Sequence, residues 1–481
     1  MNHRLVAKVL GYMLVVEGAA LMVPTVFSAV IRDGALEGFL LAALCCFGLG
    51  VPMAFTESSW DRMQRRDGFA SVGLCWILLG ALGAIPYVIS GATTNYVDAL
   101  FEAISGFTTT GASILSDVES LPKSVQLWRS MTNWMGGMGV LVMLLALLPK
   151  LGDGSANLMR AECPGPVMSK LVPRATDTAK ILYSIYIGLT VVQTVILCLL
   201  GMPLFDSINH SFATIATGGF SIKNTSIAYY QSEAINWTVT VFMFLSGINF
   251  SLLYMALRRR FKEAVRSEEL WFYIGSAMAA TALITLDLVR ETGITVMDAL
   301  SKASFQSVTI MTTTGFATSD FAAWPAVSQC VLILLMLMGG SAGSTAGGMK
   351  CIRFLLLFKN TRRWLYGILH PRVVRPIRVD GRSTEEDTMT NVACFFFAYM
   401  MILVTCTMII GLDKVDFLEA FSAALTALSN VGPALGILGP ASNFAALNNF
   451  SKLTMSAAML LGRLEIVPLA ILLMPSVWRR K

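Results

Sequence analysis

From end to end the chain alternates long apolar runs with short polar connections. Leu10 to Ile31, Ala35 to Phe55, Phe69 to Ile89, Ile235 to Leu257, Val327 to Met338 with its continuation, and Val392 to Ile410 show almost no polar face. About 20 helical residues cross a bilayer core, and a helix apolar all round has lipid or protein on every side. These runs predict membrane-spanning helices. The first is too long for the apolar core of a signal peptide and a second follows at once, so a two-helix hairpin is expected in residues 1–66.

Behind the hairpin the pattern repeats. A long apolar run leads to a shorter, semi-polar segment, then a Thr/Gly-rich turn, then another apolar run. The semi-polar segments begin at Asp98, Asp206, Ser304 and Asp416 and reach their turns at Gly111, Gly219, Gly315 and Gly432. The glycines are 108, 96 and 117 residues apart, a period of about one hundred. This divides the chain into units 67–160, 161–266, 267–385 and 386–481. The semi-polar segments are too short to span a bilayer and carry Asp or Ser where a helix N-cap belongs. The geometry expected of them is a half-helix entering the membrane and stopping midway, its Thr/Gly turn leading back out. Such backbone survives at membrane depth only inside protein or along a water-filled path. The expected fold is an all-α polytopic membrane protein: a leading two-helix hairpin plus four pseudo-symmetric helix–pore-helix–helix units around one central pore.

The turns also suggest a chemistry. A dehydrating cation needs oxygens in place of its water shell, and backbone carbonyls aimed at one axis supply them. Glycine allows the backbone this freedom, and a half-helix turns the partial negative charge of its C-terminus toward the axis. The candidate cation ligands are Thr109, Thr110 and Gly111; Thr217, Gly218 and Gly219; Thr313, Thr314 and Gly315; and Asn430, Val431 and Gly432. The adjacent glycines of the second turn leave its register open by one residue. The fourth turn, followed by Pro433, diverges most.

Composition and charge narrow the classes. The chain is 55% hydrophobic and 14% charged, against about a quarter charged in soluble domains. Its net charge of +6 is distributed by topology: 27 of its 36 Lys and Arg fall in alternate connections, the largest group between Lys350 and Arg382. That positive-inside bias places both termini in the cytoplasm and argues against nucleic acid as a partner. Nine scattered cysteines and three distant histidines offer neither a zinc site nor a disulfide framework. No cofactor fingerprint or nucleophile motif points to an enzyme.

Two further features lie in the membrane. Gly339, Gly340, Ser341, Gly343, Ser344, Thr345, Gly347 and Gly348 interrupt the second helix of the third unit. A phosphate loop is excluded, because Met349 separates Gly348 from Lys350 and no Ser or Thr follows the lysine. Close helix packing through small residues is one reading. A flexible loop that blocks the path, with Gly343, Ser344, Thr345, Ala346 and Gly347 at its centre, is the other. Arg463 sits within the last apolar run, where an arginine costs about 2.5–3.5 kcal/mol. Glu465, two positions away, lies on roughly the opposite helix face and is a poor partner. Arg129 and Lys452 are expected to snorkel to the interface.

Several stretches together carry a family resemblance: Trp134-MGGMGVLVMLLALLP, Ile215-ATGGFS, Met311-TTTGF, Gly339-GSAGSTAGGMKCIR and Leu461-GRLEIVPL. With these the whole chain resembles the Trk/Ktr/HKT family of potassium transporters, most of all its bacterial Trk type. The resemblance implies a potassium pathway in the inner membrane of a bacterium, with K⁺ as bound and transported ion and no covalent cofactor. It implies a homodimer with one pore per protomer, gated by a cytosolic ring of nucleotide-binding subunits. Glycine at all four filter positions, Gly111 included, goes with potassium preference in that family. The resemblance further implies that the loop around Gly343 is a gate and that Arg463 is an electrostatic barrier beside it. A symporter coupling K⁺ to H⁺ or Na⁺ is the alternative. Glu102, Glu419 and Glu465 keep it open, although no chain of membrane carboxylates is present.

Overall fold

A computed structural model describes residues 2–57, 64–139, 175–370, 373 and 376–475. Arg62, the basic residues from Lys150 to Arg174, Arg372, Arg375, the C-terminal Arg479, Arg480 and Lys481, and the later part of the motif beginning at Trp134 lie outside the described residues. Among the described residues every regular element is helical except a two-residue antiparallel pairing of Arg378–Val379 with Arg382–Ser383.

The hairpin consists of His3–Ile31 and Leu36–Ala54. Asn2 caps the first helix by accepting from the Leu5 N–H, and Arg32 ends it in the left-handed conformation. The two helices cross at Gly11 and Gly50, where an added Cβ would lie under 3.0 Å from the facing helix. Small residues allow that approach in a membrane.

Among the described residues six helices are long and apolar enough to cross a bilayer. Two form the hairpin. The other four, Arg66–Ile89, Asp177–Leu199, Glu268–Thr292 and Glu386–Asp413, each open one of four successive helical groups. Each is followed by a short helix: Tyr96–Phe107, Leu204–Ile215, Val296–Met311 or Phe417–Ser429. At 1.5 Å per residue these short helices span roughly 18–24 Å, less than the ~30 Å hydrocarbon core.

The short helices start differently from the sequence expectation. Of the four expected N-caps only Asp416 is one, forming a capping box with Glu419. Asp98 and Asp206 stand at the third helical position behind Asn95 and Pro203, and Ser304 lies mid-helix because the third helix starts at Val296. Asp98, Asp206, Asp298 and Glu419 thus share the third position of their helices. A carboxylate there faces the positive end of the helix dipole, and this acid, not the cap, is the repeated signal.

The second helices of the second, third and fourth groups are broken. In the second group Glu233–Ser246 and Phe250–Leu257 meet at 100°, which corrects the single helix expected over Ile235 to Leu257. In the third group Ala326–Met338 and Cys351–Leu369 flank the glycine-rich segment. In the fourth, Asn449–Arg463 gives way to Val467–Leu472. In the first, Lys123–Gly137 ends before Gly139, which has a φ of 83°.

Candidate functional site

Each short helix ends in the same way. The N–H groups of Thr109 and Thr110 return to the Gly106 and Ser105 carbonyls, at 3.0 and 2.9 Å. Thr217 and Gly218 repeat this onto Thr214 and Ala213, Thr313 and Thr314 onto Ile310 and Thr309, and Asn430 and Val431 onto Ala427 and Thr426. This paired closure is a Schellman motif, which requires a left-handed residue just past the helix. Thr109, Thr217, Thr313 and Asn430 occupy that conformation, with φ of 54°, 51°, 56° and 57°. Two residues later the backbone turns left-handed again at Gly111, Gly219, Gly315 and Gly432. The common pattern settles the register of the second turn: Gly219 corresponds to Gly111, and Gly218 to Thr110.

The four turns close on one another. A Cβ added to Gly111 would run into the Gly218 carbonyl oxygen, and one on Gly219 into that of Thr314. One on Gly315 would run into the Val431 oxygen, and one on Gly432 into that of Thr110. Each glycine therefore abuts the carbonyl preceding the next turn's glycine, around a complete circle of four. A mouth cavity of about 180 Å³ is lined by all four glycines. The candidate ligands thus share one locus, at the carbonyl ends of four converging helices. Among the described residues no group of three His, Cys, Asp or Glu is placed to hold a metal ion, so the oxygens here are backbone carbonyls and threonine hydroxyls.

On the helix side of the ring lies the glycine-rich segment. The Gly347 N–H donates to Thr313 Oγ1 at 2.6 Å, the Gly348 N–H to the Ser429 carbonyl at 2.9 Å, and Thr217 Oγ1 meets Thr345 Oγ1 at 3.3 Å. The loop also fills the break of the second group: the Ser341 N–H donates to the Gly247 carbonyl, and the Phe250 N–H to the Gly343 carbonyl, both at 3.0 Å. Gly343 is exposed, whereas Thr345, Ala346 and Gly347 are buried.

Arg463 meets this loop. It donates to the Thr345 carbonyl at 2.9 Å, to the Gly137 carbonyl at 2.6 Å and to the Gly136 carbonyl. Glu465 is engaged elsewhere, in a buried ion pair with Arg353, whose guanidinium also stands 3.9 Å from the Phe395 ring centroid. The backbone at this break is strained: Ile466, a β-branched residue, has a φ of 67° and forms a tight turn from the Val467 N–H to the Glu465 carbonyl at 2.7 Å.

Arg129 and Lys452 do not snorkel. Arg129 is 2% exposed and pairs with Glu102 at 2.8 Å; Lys452 is 5% exposed and pairs with Asp98 at 2.7 Å. Both carboxylates come from the first short helix, an acid supply that span-by-span reading overlooks. Sequence reasoning also missed Gly136 and Gly462. Their Cα atoms press on the carbonyls of Phe107 and Leu428, each four residues before a ring glycine. The signal was available in the glycines at the helix ends Met135-Gly136-Gly137 and Leu461-Gly462-Arg463.

Comparison with known proteins supplies relatives over the full length. The family described as "TrkH: Cation transport protein" matches residues 38–479. The chain is 37% identical over 487 residues to the Trk system potassium uptake protein TrkH of Salmonella typhimurium, covering 100% of both chains. It is 34% identical over 480 residues to the Trk system potassium uptake protein TrkG of Escherichia coli K12, covering 99% of each. Among solved structures, the crystal structure of the potassium transporter TrkH from Vibrio parahaemolyticus superposes with a TM-score of 0.89. It is 35% identical, with 100% of each chain covered.

Proposed function

From the premise that the chain belongs to the TrkH family of cation transport proteins, we propose that it is the membrane subunit of a Trk-type potassium uptake system. Potassium passes down its electrochemical gradient through the ring formed by Thr109–Gly111, Thr217–Gly219, Thr313–Gly315 and 430–432. The observation that supports this reading is the closed circle of four glycine turns, each against the next turn's carbonyl. Carbonyls at four helix C-termini present partial negative charge to a cation and replace its hydration shell. Units divided near residues 66, 160, 266 and 385 each supply one quarter of the ring.

The segment 343–347 is the gate in this reading, and Arg463 the barrier beside it. A positive charge beneath the ring repels cations while the loop is in place. The chain works as a homodimer in a bacterial inner membrane, both termini cytoplasmic. A cytosolic nucleotide-binding partner moves the gate through Cys351–Leu369, which leaves the loop toward the basic segment ending at Arg382.

The test is ion flux in proteoliposomes with K⁺, Rb⁺, Na⁺ and Li⁺, comparing the parent with Gly111→Ser. Preference for K⁺ and Rb⁺ that weakens in the variant is expected; equal permeation of all four ions by the parent would sink the selectivity claim.

Proton-coupled symport is the second reading. The carboxylates that kept it open are occupied: Glu102 by Arg129, Glu465 by Arg353, and Glu419 by its capping box. Glu17, fully buried in the hairpin with no basic partner among the described residues, is the observation that favours it. Reversal potentials under a proton gradient decide: a shift that disappears in Glu17→Gln supports coupling, and no shift leaves the channel reading.

A further inference from the structure

The four turns of the ring are similar in backbone, but among the described residues the first and second are bridged to each other by charge. Glu102 lies nine residues before Gly111, buried behind the first turn. Its carboxylate accepts from Ser113 Oγ at 3.0 Å and from the Ile114 N–H at 3.1 Å, so it grips the strand leaving Gly111. Arg129 donates to Glu102 at 2.8 Å and to Ser113 Oγ at 3.4 Å. The other arm of its guanidinium crosses to the second group, where it donates to the Ser221 carbonyl at 3.0 Å and lies 4.2 Å from the Phe220 ring centroid. Ser221 stands two residues beyond Gly219, as Ser113 stands two beyond Gly111. His210, nine residues before Gly219, holds Ser221 from the other side, through Nε2 to Oγ at 3.1 Å. The corresponding positions of the third and fourth groups are Gln306 and Ala423, which carry no charge.

We infer that Glu102 and Arg129 are positioning residues for ion selection, a buried clasp that sets the spacing of the first and second turns at the mouth of the ring. The inference rests on the filter reading above. The guanidinium is planar and fixed, with donors in several directions, so it bridges two strands at a defined distance. Removing one partner of a buried ion pair leaves an uncompensated charge, whereas removing both leaves none. Fold stability and strand spacing can therefore be separated. Lysine at 129 keeps the charge beside Glu102 but has no second arm for the Ser221 carbonyl.

The experiment uses the full-length chain in proteoliposomes. Variants are Arg129→Lys and the double variant Glu102→Gln with Arg129→Gln, and Gly315→Ser is the control for the filter itself. Melting temperature, total K⁺ flux and the K⁺/Na⁺ permeability ratio from reversal potentials are read together. In the clasp variants the ratio is expected to fall by roughly tenfold, the factor carried by one charge-assisted hydrogen bond, while the protein stays folded and conducting. If both keep the parent ratio while Gly315→Ser lowers it, the clasp is overturned and the filter reading stands. A lower flux at an unchanged ratio likewise reduces the pair to a structural role and overturns the inference. If Gly315→Ser also leaves the ratio unchanged, the filter reading fails and the clasp with it. Should the double variant not fold, Arg129→Lys decides alone.

Discussion

Arg463→Ala tests the gate most directly. The substitution deletes donors to three carbonyls: Thr345 at 2.9 Å, Gly137 at 2.6 Å, and Gly136. A hydrogen bond from a charged donor contributes about 1.5–3 kcal/mol. Two of the three tie Arg463 to the broken second helix of the first group, and these persist if only the loop moves. The Thr345 contact joins the arginine to the loop, so it distinguishes a closed from an open state. Its loss lowers the closed-to-open ratio by roughly 10- to 150-fold. Removing the charge also lowers the barrier to a cation passing beneath the ring, so both effects raise flux. Single-channel recording in planar bilayers measures open probability and unitary conductance separately. Arg463→Lys provides the graded case, keeping the charge with fewer donors. Open probability and conductance equal to the parent's, in Arg463→Ala protein of unchanged melting temperature, would refute the assignment.

Deleting Gly343 to Ala346 removes the Phe250, Ser246 and Arg463 contacts of the loop together. It is expected to give flux above the parent's, read by potassium-dependent fluorescence quenching in proteoliposomes; unchanged flux in stable protein refutes the gate. Serine substitutions at the ring should rank by space. The oxygen facing an added Cβ is nearest at Gly219, then Gly315, then Gly111, so K⁺ flux should fall most in Gly219→Ser and least in Gly111→Ser. At Gly432 the added Cβ would lie 2.6 Å from the Thr110 oxygen, still a clash, and a φ of 108° is hostile to any other residue, so loss there is expected from contact and backbone strain together; a reversed or flat order among the first three contradicts the packing argument. Acid should loosen the hairpin. Burial alone would raise the Asp33 carboxyl, but hydrogen bonds from Ser28, Ser124 and Ala35 outweigh it and hold the pKa below the ordinary value. That stabilisation is complete above the ordinary carboxylate value near 3.9 and fades as pH falls through the depressed one. Thermal melts of Asp33→Asn should lie below the parent's at pH 7 and converge with it as pH falls through the depressed value.

The sequence made most of this architecture legible, because a bilayer imposes simple rules. Apolar length identified the hairpin and the opening helices of the first and fourth groups. The Thr/Gly period identified the ring, down to Asn430 in place of threonine, since asparagine also tolerates the left-handed conformation. What escaped were features set by neighbours. The 100° break before Phe250 falls at Ser246, Gly247 and Asn249, a few small and polar residues inside an otherwise apolar run, and the loop from the third group, hydrogen-bonded to Gly247 and Phe250, is what fills the bend. Arg129 and Lys452 read as snorkelling because their own helices offer no acid. Glu102 and Asp98 reach them from a helix that enters the membrane without crossing it. Periodicity within one helix carries no information about such partners.

The same reasoning accounts for Arg463. An arginine in mid-membrane needs a counter-charge or enough acceptors, and Glu465, just beyond the end of its helix, is taken by Arg353. A helix that stops leaves its last carbonyls without intrahelical partners. Lys123–Gly137 stops at membrane depth, and its Gly136 and Gly137 carbonyls accept from Arg463. The glycine at 136 serves a second purpose, since any Cβ there would strike the Phe107 carbonyl at the base of the first turn. One break thus brings a helix end against the ring and exposes the oxygens that hold the fourth group's arginine below it. That arrangement explains how carbonyls can hold the charge through one guanidinium nitrogen while the other reaches Thr345. A loop held by one arm of an otherwise anchored cation can leave without unburying the charge, which is the property a gate at this depth requires.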